Sequence, residues 1–310
     1  MRIFSEAPDR RERRVLVLGT FDGVHRGHQV LLAAGKLLAE DTGSRLMVCT
    51  FEPHPLAVLR PKEAPGLLTT WVEKTEKMAA LGVDEIRKMA FTQAMADMAP
   101  ENFLELLRQE SLVTGIVAGW NYSFGKSGAG TADTLISDGK VHDYRVVIVP
   151  PVRTAEEIIS SSAIRRKLMV GDLIGAKEML GEEYTLRGPV EGGKHLGTKL
   201  GAATANIHTE EQKQLPAYGV YACRMAWEDE WRKAVVNIGF QPTLPSGRVT
   251  VEAHALEEVP NLYGREVRLR LVQYLRPEVR FDSPEALMSQ IRRDGKEAET
   301  ILGKACQEQY

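Results

Sequence analysis

Apolar positions in the first half of the chain alternate between two rhythms. Short continuous runs occur at Arg14-Val-Leu-Val-Leu18, Arg45-Leu-Met-Val-Cys-Thr-Phe51, Ser111-Leu-Val-Thr-Gly-Ile-Val-Ala118 and Tyr144-Arg-Val-Val-Ile-Val149. Runs of this length, bounded by polar or Gly-rich stretches, predict buried strands. Between them the spacing predicts helices over 27–40, 70–81 and 100–109, the last opened by Pro100-Glu101 as a first-turn signal. Two further helical stretches over 161–181 end at Gly181. Apolar strands in alternation with helices imply a mostly parallel sheet covered on both faces.

From Tyr184 the rhythm changes. Strand-like stretches over 185–191, 203–208, 219–227, 231–239, 249–256 and 266–276 follow one another without helices. Turn residues such as Gly192-Gly193, Pro216-Ala-Tyr-Gly219 and Pro245-Ser-Gly247 separate them, a pattern expected of a small antiparallel barrel. A last helix over 283–306 sets Leu287, Ile291, Ala298, Ile301 and Leu302 on one face, with Ser283 as N-cap and Pro284 at its first position. The expected fold is therefore an α/β domain over 1–182, followed by a small antiparallel β-barrel with a C-terminal helix over 183–310.

Composition narrows the class. With 310 residues, 43% of them hydrophobic, two domains can each bury a core without disulfides. The 40 basic and 42 acidic residues balance to a formal charge of −2, which gives no electrostatic footprint for nucleic acid or an anionic membrane. Three distant cysteines, Cys49, Cys223 and Cys306, suit a reducing cytoplasm and exclude a disulfide scaffold. No uncharged apolar run reaches the ~18 residues of a membrane span. Homo-oligomer formation is left open.

The densest chemical signal is Gly19-Thr-Phe21-Asp22-Gly-Val-His25-Arg-Gly27-His28, directly after the first strand. A glycine-rich turn from strand into helix lets backbone N–H groups approach a phosphate, and the helix dipole favours its charge. Two histidines flanking Gly27 at the start of that helix can face the same anion. Histidines at a helix start can also simply cap it. Here they stand at the carboxyl end of a strand, where α/β sheets bind ligands, and phosphoryl or nucleotidyl transfer is the chemistry that needs such placement.

The H-x-G-H sequence resembles the nucleotidylyltransferase superfamily. The longer motif is similar to the FMN adenylyltransferase module of bacterial bifunctional riboflavin kinase/FAD synthetases. Three further stretches carry the resemblance: Thr50-Phe51-Glu-Pro53-His54-Pro55, Gly119-Trp-Asn121-Tyr-Ser-Phe124-Gly125 and Ile159-Ser160-Ser161-Ser162-Ala-Ile-Arg165. It implies a Rossmann-like nucleotidylyltransferase domain in which His25 and His28 meet the α–β phosphate region of ATP. Arg165, Ser161 and Ser162 would hold the phosphates that leave as pyrophosphate, with Gly19, Phe21, Asp22 and Gly27 also on the ATP side. Phe51, Pro53, His54, Asn121 and Phe124 would border the flavin.

The second half resembles the riboflavin kinase module of the same enzymes. Its nucleotide loop corresponds to Gly193-Lys-His-Leu-Gly197-Thr198-Lys-Leu-Gly201-Ala202-Ala203-Thr204-Ala-Asn206, which keeps Gly193, Gly197, Thr204 and Asn206. Thr204 and Asn206 would supply oxygen ligands to Mg²⁺ bound with ATP. Where the family has Arg, Phe and Pro, this chain has Thr198, Ala202 and Ala203. Leu215-Pro-Ala-Tyr-Gly219-Val-Tyr221, Asn237-Ile-Gly239-Phe-Gln-Pro242-Thr243 and Leu262-Tyr263-Gly264 match further landmarks. Glu252 occupies the place of the carboxylate that deprotonates the riboflavin hydroxyl, although alternation with Val251 and Ala253 puts it on the outer face. The resemblance implies FAD biosynthesis from riboflavin and ATP through FMN, with catalytic His25, His28, Arg165 and Glu252. The alternative is an FMN adenylyltransferase alone, its barrel kept for flavin binding.

Overall fold

The computed structural model describes residues 1–191, 204–228, 230–241 and 248–304. They form two compact units, Met1–Ser161 and Ser162–Tyr310.

In the first unit, β1 (Arg2–Phe4), β2 (Arg13–Leu18), β3 (Arg45–Glu52), β4 (Glu85–Ala90), β5 (Leu112–Gly119) and β6 (Arg145–Val149) make one parallel sheet in the order β1-β4-β3-β2-β5-β6. Helix α1 (Arg26–Thr42) follows β2; short α2 (Pro55–Leu59) and α3 (Trp71–Ala80) lie between β3 and β4. Helices α4 (Gln93–Ala96) and α5 (Pro100–Glu110) precede β5, and α6 (Ala132–His142) precedes β6. Alternation along the strands splits the core in two. Val15, Val17, Val48 and Ile86 pack with Leu31, Leu32 and Met78 on one face. Leu16, Leu18, Met47, Cys49 and Met89 pack with Phe103, Leu104 and Leu107 on the other. Burial on both faces is what made β2, β3 and β5 read as unbroken apolar runs.

Strand β4 was not among the expected strands. Its sequence, Glu-Ile-Arg-Lys-Met-Ala, carries Glu85 and Arg87 into the interior, which hides it from an apolar pattern. Both charges are paired inside: Arg14 Nε donates to Glu85 at 2.7 Å, and Arg87 donates twice to Glu110, at 2.7 and 2.8 Å. A charge kept from water requires such a partner.

Helix α7 (Ser161–Met169) begins on the last residue of the first unit and otherwise belongs to the second, where α8 (Leu173–Leu180) follows. Then β7 (Tyr184–Glu191), β8 (Thr204–Ile207), β9 (Gly219–Trp227), β10 (Glu230–Gln241), β11 (Arg248–Ala255) and β12 (Glu266–Arg276) close an antiparallel barrel in the order β10-β11-β8-β7-β12-β9. Helix α9 (Pro284–Lys304) is capped by Ser283, whose Oγ accepts from Ala286 N at 3.2 Å. Ala298 and Leu302 of α9 pack against Ala222, and Arg276 grips Asp294 through both carboxylate oxygens. Cys306 lies outside the described residues.

Candidate active sites

In the first unit the turn after β2 is strained and tightly packed. Phe21 and Val24 take φ of 53° and 45°, with Gly23 at 86° between them. A β-branched residue in the left-handed region is costly and persists only when its surroundings enforce it. Here Phe21 and Val24 are both buried, and Asp22 ties the turn down from below. The Asp22 Oδ1 accepts from Leu68 N at 2.9 Å and Thr69 N at 3.1 Å, while Gly23 N donates to Thr69 Oγ1 at 3.0 Å. On the other side Ser161 Oγ donates to the Asp22 carbonyl at 2.9 Å. A Cβ at Gly19 would stand 3.0 Å from the Phe21 ring, so glycine lets that ring pack tightly over the turn.

The turn delivers His25 as the N-cap of α1. Its Nδ1 accepts from His28 N at 3.3 Å, and the two imidazoles stack with centroids 3.6 Å apart and planes 15° apart. Phe21 closes the far side of His28 at 5.0 Å. A Cβ on Gly27 would lie 3.1 Å from the His25 ring, so glycine leaves room for the stack. Burial pushes His25 down to about 4 against a weaker upward pull from Asp22. It pushes His28 well below the usual histidine range, helped by His25 and Lys74. Both rings are therefore neutral at pH 7 and can offer N–H donors without repelling each other. The buried His28 Nδ1 has no hydrogen-bond partner among the described residues. Such an atom beside the first turn of a helix is suited to an incoming anion.

Of the residues expected on the flavin side, His54 caps α2, its Nδ1 accepting from Leu56 N at 3.2 Å, and Pro53 precedes it. Phe51 is half-buried, edge-on to Phe91 at 5.2 Å. Asn121 is exposed just after β5. Phe124 is buried, 5.6 Å from Phe103 and 5.8 Å from Tyr122, within the core on the α5 face. On α7, Ser161 and Arg165 stand one turn apart, Ser162 is exposed and Arg165 is buried.

In the second unit, strand register assembles a row that sequence spacing alone does not show. Asn237 of β10 pairs with Glu252 of β11, Glu252 with Asn206 of β8, and Asn206 with Glu191 of β7. Val251 and Ala253 point inward and are buried, so Glu252 belongs to the outer face of the barrel, as the alternation predicts. Thr204 pairs with His254 one step along. Gly193 and Gly197, with Thr198, Ala202 and Ala203, lie outside the described residues.

Comparison with known proteins identifies the family. A family model for FAD synthetase matches residues 7–163, and one for riboflavin kinase matches residues 180–302. The bifunctional riboflavin kinase/FMN adenylyltransferase of Listeria monocytogenes is 34% identical over 295 residues, covering 94% of this chain and 93% of that protein. The protein of the same name from Escherichia coli is 33% identical over 301 residues, covering 96% and 95%. The chain belongs to the bifunctional riboflavin kinase/FMN adenylyltransferase family.

The solved structure of a macrolide-efflux protein from Streptococcus pneumoniae superposes on the same architecture, with a TM-score of 0.86 and 27% identity over 96% of this chain and 98% of that one. Among the described residues no helix is long and apolar enough to cross a membrane. Sequence reasoning did not single out Thr69, Lys74 or Glu191. The one local signal for Lys74 was the Thr70-x-x-Glu73 box just before it, which starts α3 and so fixes which way Lys74 points.

Proposed function

We propose that the barrel transfers a phosphoryl group from ATP to riboflavin, giving FMN and ADP. The α/β module then joins FMN to a second ATP, giving FAD and pyrophosphate. Residues 1–182 are assigned to the adenylyltransferase and 183–310 to the kinase. The observation that carries the reading is the neutral, stacked His25–His28 pair held by a strained turn at the carboxyl end of β2.

In the adenylyl step the FMN phosphate attacks the α-phosphorus of ATP in line, and the bond to pyrophosphate breaks. Catalysis here is placement and charge stabilisation. His25 and His28 donate to the α–β phosphate region, and Arg165 with Ser162 to the departing pyrophosphate; Ser161 joins them when its one O–H leaves the Asp22 carbonyl. Gly19 and Gly27 let backbone and rings come close, Phe21 backs His28, and Asp22 acts through the turn it locks. Phe51, Pro53, His54 and Asn121 border the flavin, with Phe124 supporting them from the core.

In the kinase step Glu252 takes the proton of the riboflavin 5′-hydroxyl as that oxygen attacks the γ-phosphorus. Gly193 and Gly197 belong to the ATP loop. Thr204 and Asn206 are assigned to Mg²⁺ that arrives with ATP. Asn206 shares the outer face with Glu252 and Glu191, an oxygen-rich row that fits a hard cation. The ion supplies neutralisation of polyphosphate charge. The protein acts in the cytoplasm.

A second reading, adenylyltransferase alone, is favoured by Thr198, Ala202 and Ala203 in the kinase loop. The purified protein with ATP, Mg²⁺ and either riboflavin or FMN separates the two by chromatography of the flavin products. FMN and then FAD from riboflavin supports the bifunctional reading; FAD from FMN only supports the second.

A further inference from the structure

Helix α3 brings one more charged group to the strand ends of the first unit. Lys74 is 6% exposed, and its Nζ donates to the Thr20 carbonyl at 2.9 Å. Thr50 Oγ1 donates to the same carbonyl at 3.0 Å, so one oxygen of the Gly19–Asp22 turn is held from both α3 and β3. The capping box of Thr70 and Glu73 fixes the first turn of α3 and with it the direction of the lysine. Burying an ammonium is costly unless its charge is met. Here its hydrogen bond goes to a neutral carbonyl, and the Asp22 carboxylate already accepts from Leu68 and Thr69.

Burial pushes the Lys74 ammonium down, against the upward pull of two carboxylates. Asp22 and Glu52 face Lys74 as carboxylates and Lys88 as a like charge, with Lys88 Nζ seated 4.4 Å over the Trp71 ring. Beyond Lys74 stands His28, faced by His25, Phe21 and Lys74 itself. Lys74 is thus the charged group that faces His28, whose buried Nδ1 has no hydrogen-bond partner among the described residues.

We propose that Lys74 is a positioning residue of the adenylyl-transfer site: its ammonium holds Thr20, and through it the Gly19–Asp22 turn, against His28, and sets positive charge where a substrate phosphate binds. The proposal rests on the adenylyltransferase reading of this unit. The phosphate belongs either to the nucleotide or to the flavin, and the kinetic arms below distinguish them. The charge has a second consequence. It opposes protonation of His28, so removing it lets the ring take up a proton at higher pH.

The test compares Lys74→Met and Lys74→Arg with the unsubstituted chain. In the substrate-free protein, NMR titration of the His28 ring in Lys74→Met should show protonation at higher pH than in the unsubstituted chain. The acid limb of FAD formation should move the same way, and kcat should fall ~10²-fold through misplacement of the turn. Lys74→Arg should restore the pH behaviour. A rise confined to the KM for ATP puts the charge on the nucleotide phosphate, and one confined to the KM for FMN puts it on the flavin phosphate; either supports the proposal. If Lys74→Met does not fold, Lys74→Gln keeps a donor for Thr20 and should still move the titration. An unmoved titration and acid limb in a folded variant overturns the proposal. Absence of FAD formation by the unsubstituted protein would instead reject the adenylyltransferase reading, while the substrate-free titration still judges the link between Lys74 and His28.

Discussion

His25 and His28 stack ring on ring at 3.6 Å, and the first also caps the helix that carries the second. One histidine therefore sets both the position and the orientation of its neighbour. Stacking at that distance demands that the rings not both be charged, and burial keeps them neutral.

Replacing His28 by Ala should lower the rate of FAD formation from FMN by ~10²–10³, by analogy with loss of one charge-stabilising donor. The barrel is a separate compact unit and should keep its flavin binding. Steady-state assay with FMN and ATP, alongside riboflavin titration by fluorescence, checks both halves of the expectation. A near-normal rate would remove His28 from the site.

The pH dependence of stability has a definite sign. The folded-state value of His25, about 4, lies below its ordinary 6.5, so the unfolded chain takes up the proton first. This contribution is complete above pH 6.5 and is lost as pH falls toward 4, by about 1 kcal/mol for each pH unit. His25→Asn keeps an N-cap side chain while removing the titrating ring. Thermal unfolding of the nucleotide-free protein at pH 7 and pH 5 should show a smaller difference for the variant than for the unsubstituted chain. Equal differences would show that His25 is not buried neutral.

Asp22→Ala removes the carboxylate that accepts from the Leu68 and Thr69 amides. Hydrogen bonds to a charged group are worth ~1.5–3 kcal/mol each, and the turn bearing His25 loosens with them. Denaturant unfolding should report a loss of at least about 2 kcal/mol, and FAD formation should fall together with it. Full stability with lost activity would instead mean that Asp22 touches the nucleotide directly.

Kinase turnover is expected to be weaker than adenylyl transfer. Ala202 and Ala203 stand where the resemblance places Phe and Pro; alanine has neither an aromatic ring nor proline's fixed φ, and misplacement of reacting groups can cost ~10²-fold. Thr198→Arg, Ala202→Phe and Ala203→Pro together should raise FMN formation and leave FAD formation from FMN unaltered. Equal rates of the two reactions in the unsubstituted chain would refute the loop argument. No FMN formation in either protein would favour the adenylyltransferase-only reading.

Local pattern along the chain was enough for β2, β3, β5 and β6, for the helices beginning at Arg26, Trp71 and Pro100, and for all six barrel strands, because period and turn chemistry are short-range properties. The Gly19–His28 motif was legible for the same reason: its capping, its strained turn and its stacked rings all form within ten consecutive residues. Tertiary structure decided what depends on distant partners. Strand β4 is a strand because Arg14, 71 positions away from Glu85, meets the charge that local reading counts against burial. Phe124 went to the core through Phe103 and Tyr122, and Lys74 reached Thr20 across 54 positions. Glu252 gained Asn237 and Asn206 as neighbours only when the barrel register set three strands side by side. Burying a charge or aligning a row is stabilised by groups that the chain brings together only on folding, and no spacing between neighbouring residues encodes them.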